Sequence, residues 1–312
     1  MMLDKKGYIL LYLKGLSMGA ADIVPGVSGG TIAFVTGIYD ELIDSIKSIG
    51  PGSLKILIQQ GPFAFWQAIN GTFLSVLLLG IGTSILGLSQ VITHWLENYP
   101  TLLWSFFFGL IVVSSVHMAR QIKQWNRVNQ LALIMGAVSA YLITSVSPAE
   151  LDVTPLMLVL SGSLAICAMI LPGISGSFIL LLLGMYGHVI GAIKALDMSV
   201  LVLFAGGCVI GILGFSRVLS WLLARYHEMT VALLTGFMLG ALNKVWPWKQ
   251  TLTWRINSHG HQVPLTQDNI LPSHFFEVTG QDPHTIICIS LMVFAIVFVL
   301  GLEWVACRSR RA

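Results

Sequence analysis

The sequence predicts an all-α polytopic membrane protein made of two inverted repeats, each a re-entrant helical hairpin plus three transmembrane helices. Three observations predict it. Of the 312 residues, 55% are hydrophobic and 10% charged, with a mean hydropathy of +0.82, whereas soluble domains carry about 25% charged residues. The stretch VPGVSGGT at 24–31 interrupts an apolar segment, and a near copy, LPGISGSF, returns at 171–178. Each break is followed by three apolar segments of bilayer length, an odd number, so the second half must enter the membrane from the opposite face.

Apolar runs 7–24 and 26–39 are separated by Pro25-Gly26, and the second turns polar at Asp40, Glu41 and Asp44. A helix of about 14 residues covers ~20 Å, short of the ~30 Å hydrocarbon core. The pair therefore predicts a re-entrant hairpin over 7–39. The mixed stretch 43–70, with Pro51, Gly52, Lys55 and Pro62, reads as an interfacial helix and linker. Spans 71–95, 101–119 and 130–147 complete the first repeat, residues 1–150. The second repeat, 151–312, has a hairpin over 154–193 broken at Pro172-Gly173 and spans at 200–224, 229–243 and 284–306. Its long polar segment, 244–283, is expected to form an extramembrane cap.

The repeat can be aligned residue by residue. At an offset of 147, residues 21–49 match 168–196 at 12 of 29 positions, including Ser28/Ser175, Gly37/Gly184, Tyr39/Tyr186 and Lys47/Lys194. At an offset of 127, residues 80–109 match 207–236 at 9 of 30, including Gly87/Gly214 and Tyr99/Tyr226. The change of offset places an insertion near residues 50–70 of the first half.

Charge sets the expected orientation. A cytoplasmic N-terminus puts Lys5, Lys6, Lys14, Arg120, Lys123, Arg127, Arg225, Arg308, Arg310 and Arg311 inside, and the outer connections 96–100 and 148–153 hold no Lys or Arg. Both termini are then cytoplasmic, by the positive-inside rule. Lys5 and Lys6 before an apolar stretch imitate a signal peptide. Lys14 interrupts its apolar region, however, and residues from 21 onward belong to the repeat, so the N-terminus is expected to stay in the mature fold. A net charge of +3 is too small and dispersed for nucleic acid. Cys167, Cys208, Cys288 and Cys307 lie in or at the end of apolar segments without paired spacing and read as buried thiols. Trp95, Trp104, Trp125, Trp246 and Trp248 near span ends read as interface aromatics. His94, His117, His188 and His227 have no metal-ligand spacing. No metal and no cofactor are expected.

Broken helices in inverted repeats point to a transport site near the midplane. Backbone amides at the start of each second half-helix, with the positive end of its dipole, favour an anion. The candidate phosphate-binding residues are Gly26, Val27, Ser28, Gly29, Gly30 and Thr31 in the first break. Their counterparts are Gly173, Ile174, Ser175, Gly176 and Ser177. The alternative is that PG(V/I)SG only turns a hairpin, its glycines packing closely between helices. Arg217 lies within span 200–224, where an ionisable side chain usually faces a cavity. Its repeat counterpart is Gln90. The guanidinium suits bidentate phosphate binding, or else snorkels to the interface as an anchor. Asp22, opposite Met169, and Glu41 are candidates for coupling or gating, although Asp22 equally suits bonding the turn's own amides.

ADIVPGVSGGTIAFVTGIY at 21–39, LPGISGSFILLLLGMYG at 171–187 and GFSRVLSWLLARYHEMTVALLTGFMLGAL at 214–242 together resemble the bacterial and archaeal polyprenyl-phosphate (undecaprenyl phosphate) translocase family. The resemblance covers about residues 8–248 and the last span. It implies a transporter in the bacterial cytoplasmic membrane that returns undecaprenyl phosphate, the C55 lipid carrier of peptidoglycan and other envelope polymers, from the outer to the cytoplasmic leaflet. The partners it implies are the polyprenyl-phosphate lipid and the surrounding membrane lipids; a homo-oligomer is left open. Two other readings remain. An ion-coupled transporter of a small anion would use the same half-helix site. A membrane lipid phosphatase would need an Arg with a His six residues on, whereas His227 is ten residues from Arg217, so an enzyme is not expected.

Overall fold

The computed structural model describes residues 5–24, 26–146, 151–256 and 262–309. Pro25, Pro148, Glu150, Arg310 and Arg311 lie outside them, as do the side chains of Cys307 and Arg308. The first half runs α1 (Lys5–Ile23), α2 (Gly29–Val35), α3 (Tyr39–Ser48), α4 (Pro51–Gln60), α5 (Pro62–Ala68), α6 (Gly71–Asn98), α7 (Pro100–Gln121) and α8 (Arg127–Ser145). The second runs α9 (Pro155–Ile170), α10 (Gly176–Leu182), α11 (Tyr186–Ala195), α12 (Met198–Arg225), α13 (His227–Ala241), β1 (Lys249–Ile256), β2 (Gln262–Asn269), α14 (Pro272–Thr279) and α15 (Thr285–Ser309). The fold is mostly helical. Among the described residues, α6, α7, α8 and α12 are long and apolar enough to cross a bilayer.

Each hairpin is broken twice. Gly26 and Gly173 take φ of +87° and +88°, and eleven residues further on Gly37 and Gly184 take +68° and +70°. L side chains rarely adopt this region, so glycine at these positions makes the break possible. The second break was not foreseen: the predicted two-helix hairpin over 154–193 has a third short helix, with α10 and α11 at 109° to each other. Matching elements have matching lengths. α2 and α10 have 7 residues, α3 and α11 have 10, and α6 and α12 have 28. α4 and α5, which meet at Gly61 with φ +89°, have no counterpart and fill the insertion.

The halves also pack alike. α1 lies along α6 through Gly15 against the Leu77 carbonyl and Gly80 against the Tyr12 carbonyl. α9 lies along α12 through Gly162 against Phe204 and Gly207 against Val159, the same pairs shifted by 147 and 127. The last helix of each half then crosses to the other half: α8 packs on α13 and α15 on α7. Small residues permit this close approach. A Cβ on Gly136 would lie 2.2 Å from the Leu233 carbonyl, and one on Gly236 would lie 2.1 Å from that of Leu133.

One buried core, including Val24, Val27, Ile43, Ile111, Met118, Val231 and Met238, joins elements of both halves. The outer faces of α6, α12 and α15 instead expose large apolar side chains such as Leu86 at 86%, Ile210 at 64% and Ile286 at 83%. So wide an apolar surface suits lipid as its solvent. The cap departs from an all-helical reading: β1 and β2 form an antiparallel hairpin with register shifts between Thr251 and Trp254. Its β-branched and alternating residues, Thr251, Thr253, Val263 and Thr266, favour strand over helix.

Because the Gly136–Gly236 crossing leaves no room for a methyl group, Gly236→Ala should lower stability by about 1–3 kcal/mol. Gly87→Ala, where nothing lies within 4 Å, should leave the unfolding temperature of the detergent-solubilised protein unchanged or slightly higher. Equal unfolding temperatures for the two variants would contradict the close crossing.

Candidate functional site

A helix that stops in the interior leaves carbonyls at its C-terminal end without intrahelical partners. At the end of α9 these include Met169 and Ile170, and donors from the first hairpin reach them. Ser28 Oγ donates to the Met169 carbonyl at 3.0 Å, and Tyr39 Oη donates to that of Ile170 at 3.2 Å. In the reverse direction the Gly173 amide donates to Thr31 Oγ1 at 3.0 Å. The two tips therefore interlock. Gly30 lets them close, since a Cβ there would lie 2.5 Å from the Ile170 carbonyl oxygen.

The tips differ in how their amides are used. In the first, Val27 is fully buried and its amide bonds the Val24 carbonyl. Gly29 donates to Asp22 Oδ1 at 2.7 Å, and Gly30 donates to the capping Ser28 Oγ at 3.1 Å. Asp22 thus holds the turn's own backbone, the structural one of its two sequence readings. Gly29 has no room for a side chain, with Asp22 Oδ2 2.6 Å from its Cβ position. In the second tip Met169 replaces Asp22, and Ser175 makes no cap: its hydroxyl pairs with that of Ser177 at 2.8 Å. Ile174 and Gly176 are buried, and Gly176 rests on the Ala165 carbonyl.

Arg217 and Glu41 lie elsewhere. Arg217 Nη1 donates to the Leu213 carbonyl at 2.5 Å and Nη2 to that of Ile49 at 3.0 Å, at the α3–α4 corner. Tyr39, at the tips, and Ile49 are separated by the length of α3, about 15 Å at 1.5 Å per residue. Glu41 Oε1 accepts from Asn70 Nδ2 at 3.1 Å. Beside Arg217, Ser220 on α12 joins two residues of α3: its hydroxyl donates to Asp44 Oδ1 at 2.8 Å and accepts from Lys47 Nζ at 2.9 Å. α3 is thereby fastened to the opposite half, whereas the main neighbours of its counterpart α11 are α10 and α12 of its own half.

Two lysines that sequence reasoning passed over also belong here. Lys244 follows α13, with its stem against Gly26 in the first tip and its ammonium 4.7 Å from the centroid of the Phe178 ring in the second. A Cβ on Gly26 would lie 2.9 Å from Lys244 Cγ. Lys249 Nζ donates to the Lys244 carbonyl at 2.5 Å and sits 4.0 Å from the Trp104 ring centroid. Burial lowers the proton affinity of both lysines, and for Lys249 the nearby Lys244 charge adds to the effect. In sequence, Lys244 was only the first residue of a polar loop. Its one signal was its position directly after the apolar run 229–243.

A family model described as undecaprenyl phosphate translocase-like matches residues 18–263. The chain is 54% identical over 296 residues to the polyprenyl-phosphate transporter of Vibrio cholerae serotype O1, covering 95% of this chain and 96% of that one. It is 31% identical over 256 residues to the polyprenyl-phosphate transporter of Staphylococcus aureus, covering 75% of this chain and 85% of that one. No solved structure matches.

The interlock makes Thr31 a structural acceptor. Thr31→Val leaves the buried Gly173 amide unpaired and should cost about 1–3 kcal/mol, while Thr31→Ser keeps the bond. Thermal unfolding in detergent should rank Thr31→Val clearly below Thr31→Ser. Matching melting curves would remove the bond from the account of the tips.

Proposed function

The chain belongs to the undecaprenyl phosphate translocase-like family, and from that premise we propose that it carries a polyprenyl monophosphate, undecaprenyl phosphate, from the outer to the cytoplasmic leaflet. The observation that supports this most is the meeting of two broken hairpins in the interior, one from each half. Non-helical backbone at membrane depth is tolerated where it lies buried in protein or lines a wet cavity. A lipid carrier needs such a place only for its phosphate, because its prenyl tail stays in the hydrocarbon.

In this reading the repeats are inverted, the protein lies in the bacterial cytoplasmic membrane with both termini in the cytoplasm, and the phosphate is held where the tips meet. The segment Gly26–Thr31, whose amides at Gly29 and Gly30 are already engaged, braces the junction. The uncapped second tip, Gly173 to Ser177, offers the phosphate the hydroxyls of Ser175 and Ser177. Arg217 holds the α3–α4 corner rather than the head group, since it bonds the Leu213 and Ile49 carbonyls at the far end of α3 from the tips. The unequal docking of α3 and α11 is one state of an alternating device, closed where α3 meets α12. Return of the carrier in this direction serves peptidoglycan and other envelope polymers.

The reading is tested in liposomes with a fluorescent polyprenyl phosphate whose outer-leaflet fraction is bleached by dithionite. The protein should accelerate exchange between leaflets. Unlabelled polyprenyl phosphate should compete, and the corresponding polyprenol should not. Uptake of inorganic phosphate without lipid exchange would instead support a small-anion transporter, and phosphate release from polyprenyl diphosphate would support an enzyme.

The closed face gives a second test. Cysteines replacing Asp44 and Ser220, joined by a short reducible cross-linker, should stop lipid exchange, and reduction should restore it. Undiminished exchange in the cross-linked protein would show that α3 need not leave α12 during transport.

A further inference from the structure

We propose that Lys244 is the cation that takes the lipid's phosphate where the two hairpin tips meet, and that the extramembrane cap serves to hold it there. The inference rests on the transport reading above and names a residue for its site.

The placement of Lys244 is specific. It is the residue after α13 that touches both hairpins, through its stem at Gly26 and its ammonium at Phe178. Its only described interaction at the ammonium is the aromatic face, and among the described residues no carboxylate pairs with it. A half-buried cation without a counter-ion is unfavourable, and an arriving anion relieves that penalty. Lys249, beside it, brings no negative charge to the site. A monophosphate ester, with one to two negative charges and several acceptor oxygens, matches such a site, and an uncharged prenol does not.

The cap fixes the turn that carries Lys244. Asn269 Nδ2 donates to the Asn243 carbonyl at 2.8 Å, Trp246 Nε1 to the Ile270 carbonyl at 2.9 Å, and Trp248 Nε1 to the Pro283 carbonyl at 2.9 Å. Lys249 closes the turn through the Lys244 carbonyl while its ammonium rests on Trp104 of α7. Lys249 is therefore a positioning residue. A mobile lysine would lose much of its value as a phosphate ligand, because ordering its long side chain on binding has an entropic cost.

Lys244→Met keeps the stem that packs on Gly26 and removes the charge. In the liposome assay it should slow polyprenyl-phosphate exchange about ten- to a hundredfold, while its unfolding temperature stays near that of the unmodified protein. Lys244→Arg should recover part of the rate. Exchange by Lys244→Met at the unmodified rate would overturn the proposal while leaving the transport reading intact. Failure of the unmodified protein itself to exchange the lipid would remove the reading on which it rests. Should Lys244→Met not fold, reductive methylation of the unmodified protein decides: polyprenyl phosphate should protect Lys244 and polyprenol should not. Equal labelling with and without the phosphate lipid, or no labelling of the free protein, would also overturn it.

Discussion

Two main-chain carbonyls at the interior end of α9 are the constraint on which the rest of the structure depends. A helix broken inside an apolar protein exposes acceptors that water cannot reach, and each one left unpaired costs several kcal/mol in hydrocarbon. Ser28 and Tyr39 supply the donors for Met169 and Ile170, and Thr31 takes the Gly173 amide in return. Neither hairpin satisfies this end alone. That is why the two breaks are found together and why Gly30, which admits the Ile170 carbonyl, has no side chain.

The same dependence extends outward through the helix pairs. α1 on α6 and α9 on α12 repeat one glycine-to-carbonyl packing, which fixes each hairpin to a long helix of its own half. α8 and α15 then cross to the opposite half, so the halves do not form separable units. Against this near-equivalence the differences stand out. Asp22 and the Ser28 cap belong to the first tip, and the Asp44–Ser220–Lys47 bridge with Arg217 fastens α3 to the far half, whereas the main neighbours of α11 lie in its own half. Two near-equivalent halves whose counterpart helices α3 and α11 dock differently are suited to exchanging their arrangements, as the proposed transport requires.

The cap links this core to charge. Its strands and α14 contribute little to the main core, and its tryptophans and Asn269 anchor a short turn at the end of α13. Through that turn a polar segment outside the helices governs where a cation lies within them. The resulting lysine pair, backed by Trp104 and Phe178, is held by aromatic faces rather than by acids. Among the described residues no carboxylate pairs with Lys244, as the proposed phosphate site requires.

The sequence by itself determined the membrane class, the two breaks, the repeat and its insertion, and the approximate position of every long helix. These follow from composition, from the scarcity of residues that tolerate positive φ, and from apolar length, all of which are local. Tertiary structure alone decided what the polar residues do. Asp22 binds an amide seven residues away, and Arg217 turns to Ile49 rather than to the tips. Lys244 reaches Gly26 across more than two hundred residues of chain. The β-hairpin in 249–269 and the second break at Gly37 and Gly184 were also beyond the periodicity, because short elements carry too few residues to set a pattern. Partners of buried polar groups depend on which backbone ends come together, and only the packed chain specifies that.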